Sequence, residues 1–97
     1  MIKLTVLYPA GDGSTFDLDY YKDKHVSIVN RTLKPSRFDI EKGIDGQPFM
    51  AIGHLYFDSM EALQAGMRSP DAGETMADIP NFTNVQPQLQ ISEVVES

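Results

Sequence analysis

Two histidines, His25 and His54, are the side chains best suited to moving a proton near neutral pH. Four tyrosines, Tyr8, Tyr20, Tyr21 and Tyr56, can wall a pocket, orient a polar substrate or hold a phenolate. Leu18, Tyr21, His25, Ile28 or Val29, and Thr32 recur at helical spacing, so His25 belongs to the apolar stripe of a helix and faces inward. A buried imidazole needs a partner for its ring N–H, at a cost of roughly 1–3 kcal/mol if it has none. It is therefore either a base lining a pocket or a core histidine bonded to a tyrosine or a carbonyl. Tyr21, one turn earlier, is the tyrosine placed to act with it, whereas Tyr20 is expected to point partly outward. His54 lies mid-strand on the same face as Met50, Ile52 and Tyr56. It either joins His25 between helix and sheet or lies against a partner subunit, and the pattern leaves both open.

Other chemistries find little support. Cysteine is absent, which removes thiolate nucleophiles, Cys-type zinc sites, iron–sulfur clusters and disulfides together. The two histidines show no metal-binding spacing, so no metal is expected. Gly11-Asp12-Gly13 lacks the glycine-rich fingerprint of a dinucleotide site. No nucleophile elbow or triad signature is present. Asp17 and Asp19 read as helix-start acids, and the region from Met67 to Met76 as ordinary helix packing.

The elements that must position these residues are set by hydrophobic period and turn residues. Ile2, Leu4, Val6 and Tyr8 alternate as a strand until Pro9, Gly11 and Gly13 break it. Asp17 caps a helix from about Leu18 to Leu33, which Pro35 ends. Arg37 to Ile44 and Phe49 to Phe57 read as strands joined through Asp45-Gly46, a hairpin turn lengthened by Gln47 and Pro48. Asp58 is placed to cap a helix from Ser59 to about Met67. Ser69-Pro70-Asp71 starts a shorter one that ends near Asp78, before Pro80. Val85 to Val95 is the last strand, with Pro87 implying an edge or a bulge. The order β-α-β-β-α-β predicts an α+β, ferredoxin-like domain over residues 1–97, with a four-stranded antiparallel sheet and both helices on one face.

Phe49 to Phe57 is apolar on both faces, while the helices can cover only one side of the sheet. A second copy of the chain would cover the other, so a homodimer is expected. Ninety-seven residues make a small core, burying only about 60–68% of the unfolded surface, and pairing adds burial. Eight basic against fourteen acidic residues, a net charge of −6, argue against nucleic acid. The amino-terminal strand is too short and too alternating for a signal peptide, and no run approaches the roughly 20 apolar residues of a membrane span. The expectation is a cytoplasmic protein that does not engage membranes.

Tyr8-Pro9, Phe16-Asp17-Leu18-Asp19-Tyr20-Tyr21 and His25 together resemble the opening signature of the EthD-like family, within the dimeric α+β barrel superfamily. Phe57-Asp58-Ser59, Ser69-Pro70 and Asp78-Ile79-Pro80-Asn81-Phe82-Thr83 are similar to its second half. The resemblance implies paired sheets in a dimeric barrel and a cavity between helices and sheet in each subunit. It also implies an oxidoreductase of degradation metabolism, with relatives among cofactor-independent oxygenases, haem-degrading oxygenases and muconolactone isomerases. His25, with Tyr21 and Tyr8 beside it, transfers by motif position. Where family members often carry proline two residues after the histidine, this chain has Ser27, which implies a more regular helix there. No flavin, nicotinamide or haem motif is visible, so no cofactor is expected. The functional expectation is a cofactor-independent, monooxygenase-type enzyme acting on a small apolar or aromatic compound, with His25 as base and Tyr8, Tyr21, His54 and Tyr56 lining the pocket. The alternatives are a non-catalytic dimeric binding protein, or an isomerase or lyase using the same histidine.

Overall fold

The structure, a computed structural model, describes residues 1–96. Strands β1 (Ile2–Pro9), β2 (Arg37–Lys42), β3 (Phe49–Phe57) and β4 (Gln88–Glu93) form one sheet in the order β2-β3-β1-β4, every neighbour antiparallel. The two crossovers carry the helices, giving the ferredoxin-like arrangement. The hairpin turns at Gly46, whose φ of +87° suits a residue without Cβ. β2 stops at Lys42 rather than Ile44. β4 ends at Glu93 rather than Val95, and it starts at Gln88 rather than Val85 because Pro87 supplies no N–H to extend the ladder.

The first crossover helix is one continuous rod in three segments: α1 (Leu18–Tyr20), a π-turn (Tyr21–His25) and α2 (Val26–Thr32). Asp17 caps it, its carboxylate accepting the Tyr20 N–H at 3.0 Å. Lys34, in the left-handed region at φ 54°, closes the rod ahead of Pro35. The more regular helix expected around Ser27 holds only from Val26 onward. Immediately before it the Val26 N–H reaches back to the Tyr21 carbonyl, a π-type bond. Such single π-turns often occur at functional sites, and this one is bracketed by the buried pair Tyr21 and His25.

In the second crossover, α3 (Met60–Arg68), capped by Ser59 and not Asp58 because the Ser59 hydroxyl accepts the Ala62 N–H at 3.1 Å, and α4 (Ala72–Asp78) run into a 3₁₀ turn (Ile79–Asn81). The chain stays helical past Asp78 because Pro80 sits at the start of that turn, where a missing N–H is harmless. Phe82 and Thr83, just past the turn, are tied to the start of α1: the Asp17 N–H donates to the Phe82 carbonyl at 2.7 Å and the Thr83 hydroxyl to the Thr15 carbonyl at 2.7 Å.

Register sorts the two faces of the sheet. Toward the helices point Leu4, Val6 and Tyr8 of β1 and Ala51, Gly53, Leu55 and Phe57 of β3. They pack with Val29, Leu33 and Leu63 in one cluster and with Tyr21 and Phe82 in another. The opposite face carries Met50, Ile52, His54 and Tyr56, all half-buried. It is less oily than the β3 sequence suggests. Beside the apolar strip stand Arg37, Asp39 and Glu41 on one flank and Thr5, Gln88 and Gln90 toward the other. Among the described residues, no helix is long and apolar enough to cross a membrane.

Candidate functional site

Tyr8, Tyr21 and His25 meet between the helices and the sheet, as the helical stripe requires. The π-turn sets Tyr21 beside His25 in a tilted pair, with ring centroids 5.3 Å apart, and Phe82 rises against the imidazole at 4.6 Å. Tyr8, Phe16, Tyr21 and Phe82 form a mutual aromatic cluster with centroid separations of 5.0–5.8 Å, mostly edge-to-face or tilted. Gly53 of β3 is what lets the Tyr21 hydroxyl approach the sheet: a Cβ there would stand 2.6 Å from it.

His25 is 3% exposed and Asp78 6%. Their side chains are joined by a 2.9 Å hydrogen bond between Nδ1 and Oδ2. The other carboxylate oxygen accepts from the Tyr20 hydroxyl at 2.6 Å and from the Asn81 amide at 2.9 Å. Burial would push the Asp78 carboxyl up, but these donors, with His25, outweigh it and hold the group below its ordinary range. Burial pulls His25 below the ordinary histidine value, opposed in part by the Asp78 carboxylate. At neutral pH the imidazole is uncharged. Its one proton sits on Nδ1, donated to Asp78, and Nε2 is left with a free lone pair. That nitrogen makes no hydrogen bond among the described residues and is not sealed in packing.

Beside it lies a cavity of about 300 Å³, whose wall includes Leu4, Val6, Tyr8, Tyr21, His25, Val29, Phe38, Leu55, Thr75 and Ile79. Among the described residues no charged side chain lines it. Burial raises both the Tyr8 and Tyr21 phenols far above their ordinary value, Tyr8 further through the neighbouring Tyr21, so both stay protonated. The arrangement offers a positioned base, two phenols and an apolar chamber, which suits proton abstraction from a weakly acidic, uncharged molecule.

His54 and Tyr56, also expected at the pocket, lie on the opposite face of the sheet. Alternation along β3 puts residues 54 and 56 away from the helices once Leu55 and Phe57 face them. His54 pairs there with Glu41 at 3.0 Å, and its Nδ1 is sealed without a partner among the described residues. Arg37 lies over the Tyr56 ring at 5.3 Å. With a sheet between them the two histidines cannot share a ligand or a metal, and no cluster of three metal-ligating side chains occurs among the described residues.

The residues that hold His25 were not evident from the sequence. Asp78 read as a helix end, and Tyr20 as partly outward, yet its hydroxyl turns in to that carboxylate. Met67 and Met76, read as ordinary packing, are 48% and 58% exposed and also border the cavity. The one signal in the sequence was that Asp78-Ile79-Pro80-Asn81-Phe82 belongs to the family-like motif although nothing local in it requires an acid at position 78.

The fold and site define a ferredoxin-like α+β protein with a histidine-bearing cavity beneath its helices. The EthD domain family model matches residues 14–86. An uncharacterized 11.0 kDa protein in the thcB-thcC intergenic region of Rhodococcus erythropolis is 33% identical over 90 residues, 87% of this chain and 85% of that one. An EthD-like protein from Ralstonia eutropha JMP134 has a crystal structure similar at TM-score 0.85 and 37% identity, covering 98% of this chain and 92% of that one. An ethyl tert-butyl ether D (EthD) family protein from Bacillus halodurans C-125, at 20% identity, shares the fold with a TM-score of 0.79 over 98% and 99% of the two chains. This chain belongs to the EthD family.

Proposed function

We propose that this protein is a cofactor-independent oxidoreductase of the monooxygenase type, acting on a small apolar or aromatic compound in degradation metabolism, with His25 as general base. The observation that carries the reading is the orientation of one ring: Nδ1 fixed on Asp78, Nε2 free beside an uncharged cavity. Without a cofactor the substrate must supply the electrons. An activated methylene satisfies this: His25 takes one C–H proton and the carbanion's electron pair goes to O2 as the C–O bond forms. Cleavage of the O–O bond then leaves a carbonyl and one water that carries both hydrogens. The protonated imidazole beside Asp78 and the two phenols would stabilise the anion before oxygen attacks.

The same reading includes a cytoplasmic homodimer joined through the open sheet face. The half-buried strip of Met50, Ile52, His54 and Tyr56 on β3 supports it, since a second copy can bury that strip.

Oxygen uptake with anthrone as probe tests the reaction. Uptake that is stoichiometric with ketone formation, and lost in His25→Ala, is expected. Anthrone bound but recovered unchanged after aerobic incubation would leave a binding protein, and rearrangement without oxygen uptake an isomerase.

A further inference from the structure

Resting on the reading of the cavity as a substrate site, we propose that substrate reaches His25 through the gap between α4 and β4, that Met76 and Leu89 control passage, and that the molecule admitted is uncharged. The cavity is graded. Its inner residues Leu4, Tyr8, Tyr21, His25, Val29 and Leu55 are each at most 4% exposed, whereas Met67, Met76 and Leu89, bordering the same space, are 48%, 58% and 52% exposed. Large apolar side chains exposed together on one rim are unusual on a small protein, where single ones scatter. The rim arises because β4 is an edge strand whose helix-side residues Leu89 and Ile91 are left half-open, while the register partner of Leu89, Val6, lines the interior.

Outside the gap runs an open groove that shares Met76, Ile79, Pro87 and Leu89 with the cavity, so these four side chains are all that stands between the two adjacent spaces. Apart from the neutral His25, no acidic or basic side chain among the described residues lines either space, in a chain where 23% of residues are charged. A carboxylate or sulfonate entering here would lose its water and find no cation, inside a protein of net charge −6. A neutral arene with a hydroxyl loses little: the ring replaces contact with water by contact with the wall, and its O–H meets the acceptor Nε2 of His25. Flexible methionines suit a passage that must part for a rigid ring.

The test measures binding of 1-naphthol and 1-naphthoate by fluorescence near neutral pH, without reference to turnover. 1-Naphthol binds, and 1-naphthoate binds at least about tenfold more weakly. Leu89→Arg, on an exposed position that leaves the core untouched, narrows that gap to about threefold or less by supplying the missing cation. Met76→Trp slows 1-naphthol association by about threefold or more in stopped flow. Naphthoate binding as tightly as naphthol in the unaltered protein overturns the uncharged class. Unchanged association in both rim variants, each verified as folded by circular dichroism, overturns the route. Naphthol binding with no oxygen uptake on anthrone removes the proposed reaction and leaves the entrance standing, whereas failure to bind naphthol removes both.

Discussion

The carboxylate of Asp78 accepts the Nδ1 proton of His25 at 2.9 Å, and this bond decides which ring nitrogen remains for chemistry. The carboxylate is itself fixed, because its second oxygen is held by the Tyr20 hydroxyl and the Asn81 amide. Asp78 thus acts through the imidazole and does not meet the substrate.

Asp78→Asn tests that role. Tyr20 and Asn81 are both donors, so they retain the amide oxygen of the new side chain and turn its NH2 toward His25. Nδ1 must then accept, the ring proton moves to Nε2, and the base is lost. The expected loss in kcat is roughly 10²–10⁴-fold with the fold retained. Nitrogen NMR of the imidazole reports the tautomer directly, and an unchanged Nδ1–H form would refute the assignment.

Acid should weaken the protein through the same pair. The folded His25 titrates below its ordinary 6.5, so as pH falls beneath 6.5 the unfolded chain takes up a proton that the folded chain still refuses. Stability is complete above 6.5 and declines from there down to the folded value. Asp78, held below 3.8, adds stability that is present above 3.8 and disappears as pH falls through its lowered folded value. Thermal melts across pH should show both losses, and the His25→Ala protein only the lower one. The acid limb of kcat/KM should likewise fall below 6.5, since the base stays neutral in milder acid.

Gly53→Ala probes the floor of the site. The added methyl would stand 2.6 Å from the Tyr21 hydroxyl and 3.2 Å from the Phe38 ring. The tyrosine has little room to yield, being packed by Tyr8, Phe16, Phe38 and Phe82. The expected cost is about 1–3 kcal/mol of stability, together with weaker binding of a ring in the cavity. Denaturant unfolding gives the first and fluorescence titration the second. A variant that melts and binds like the parent would show that Tyr21 moves freely.

Period and turn residues made the sheet order legible, because each strand and helix carries its own pattern: Ile2 to Tyr8 alternates, Tyr21 and His25 share a stripe, and Asp45-Gly46 marks the hairpin. Half of the site was legible for the same reason, since Tyr8 and Tyr21 reach His25 through elements whose inward faces the pattern defines. The π-turn was not, because it changes the backbone bonding without changing which residues are apolar. Asp78 was not, because a buried acid at a helix end looks like any other helix-end acid until the histidine 53 residues away lies against it. The face taken by His54 was hidden because β3 is apolar on both sides and alternation alone does not say which side the helices cover.

The open face yields the last prediction. Ile52 sits at the middle of β3 on that side, between Leu7 of β1 and Glu41 of β2. If a second copy packs there, Ile52→Arg forces a long charged side chain from each subunit into the seam, at a desolvation cost that the neighbouring Glu41, already bonded to His54, offsets only in part. Sedimentation at micromolar concentration should then give a dimer for the unaltered chain and a monomer for the variant. The exposed arginine costs the isolated subunit little, so its circular dichroism should be unchanged. The half-buried His54 ring on the same face supplies an independent readout. Its NMR chemical shifts should differ between dimer and monomer, because the strip it belongs to passes from water into the seam. A monomeric parent at these concentrations, or an Ile52→Arg protein that stays dimeric, would remove the open face as the interface.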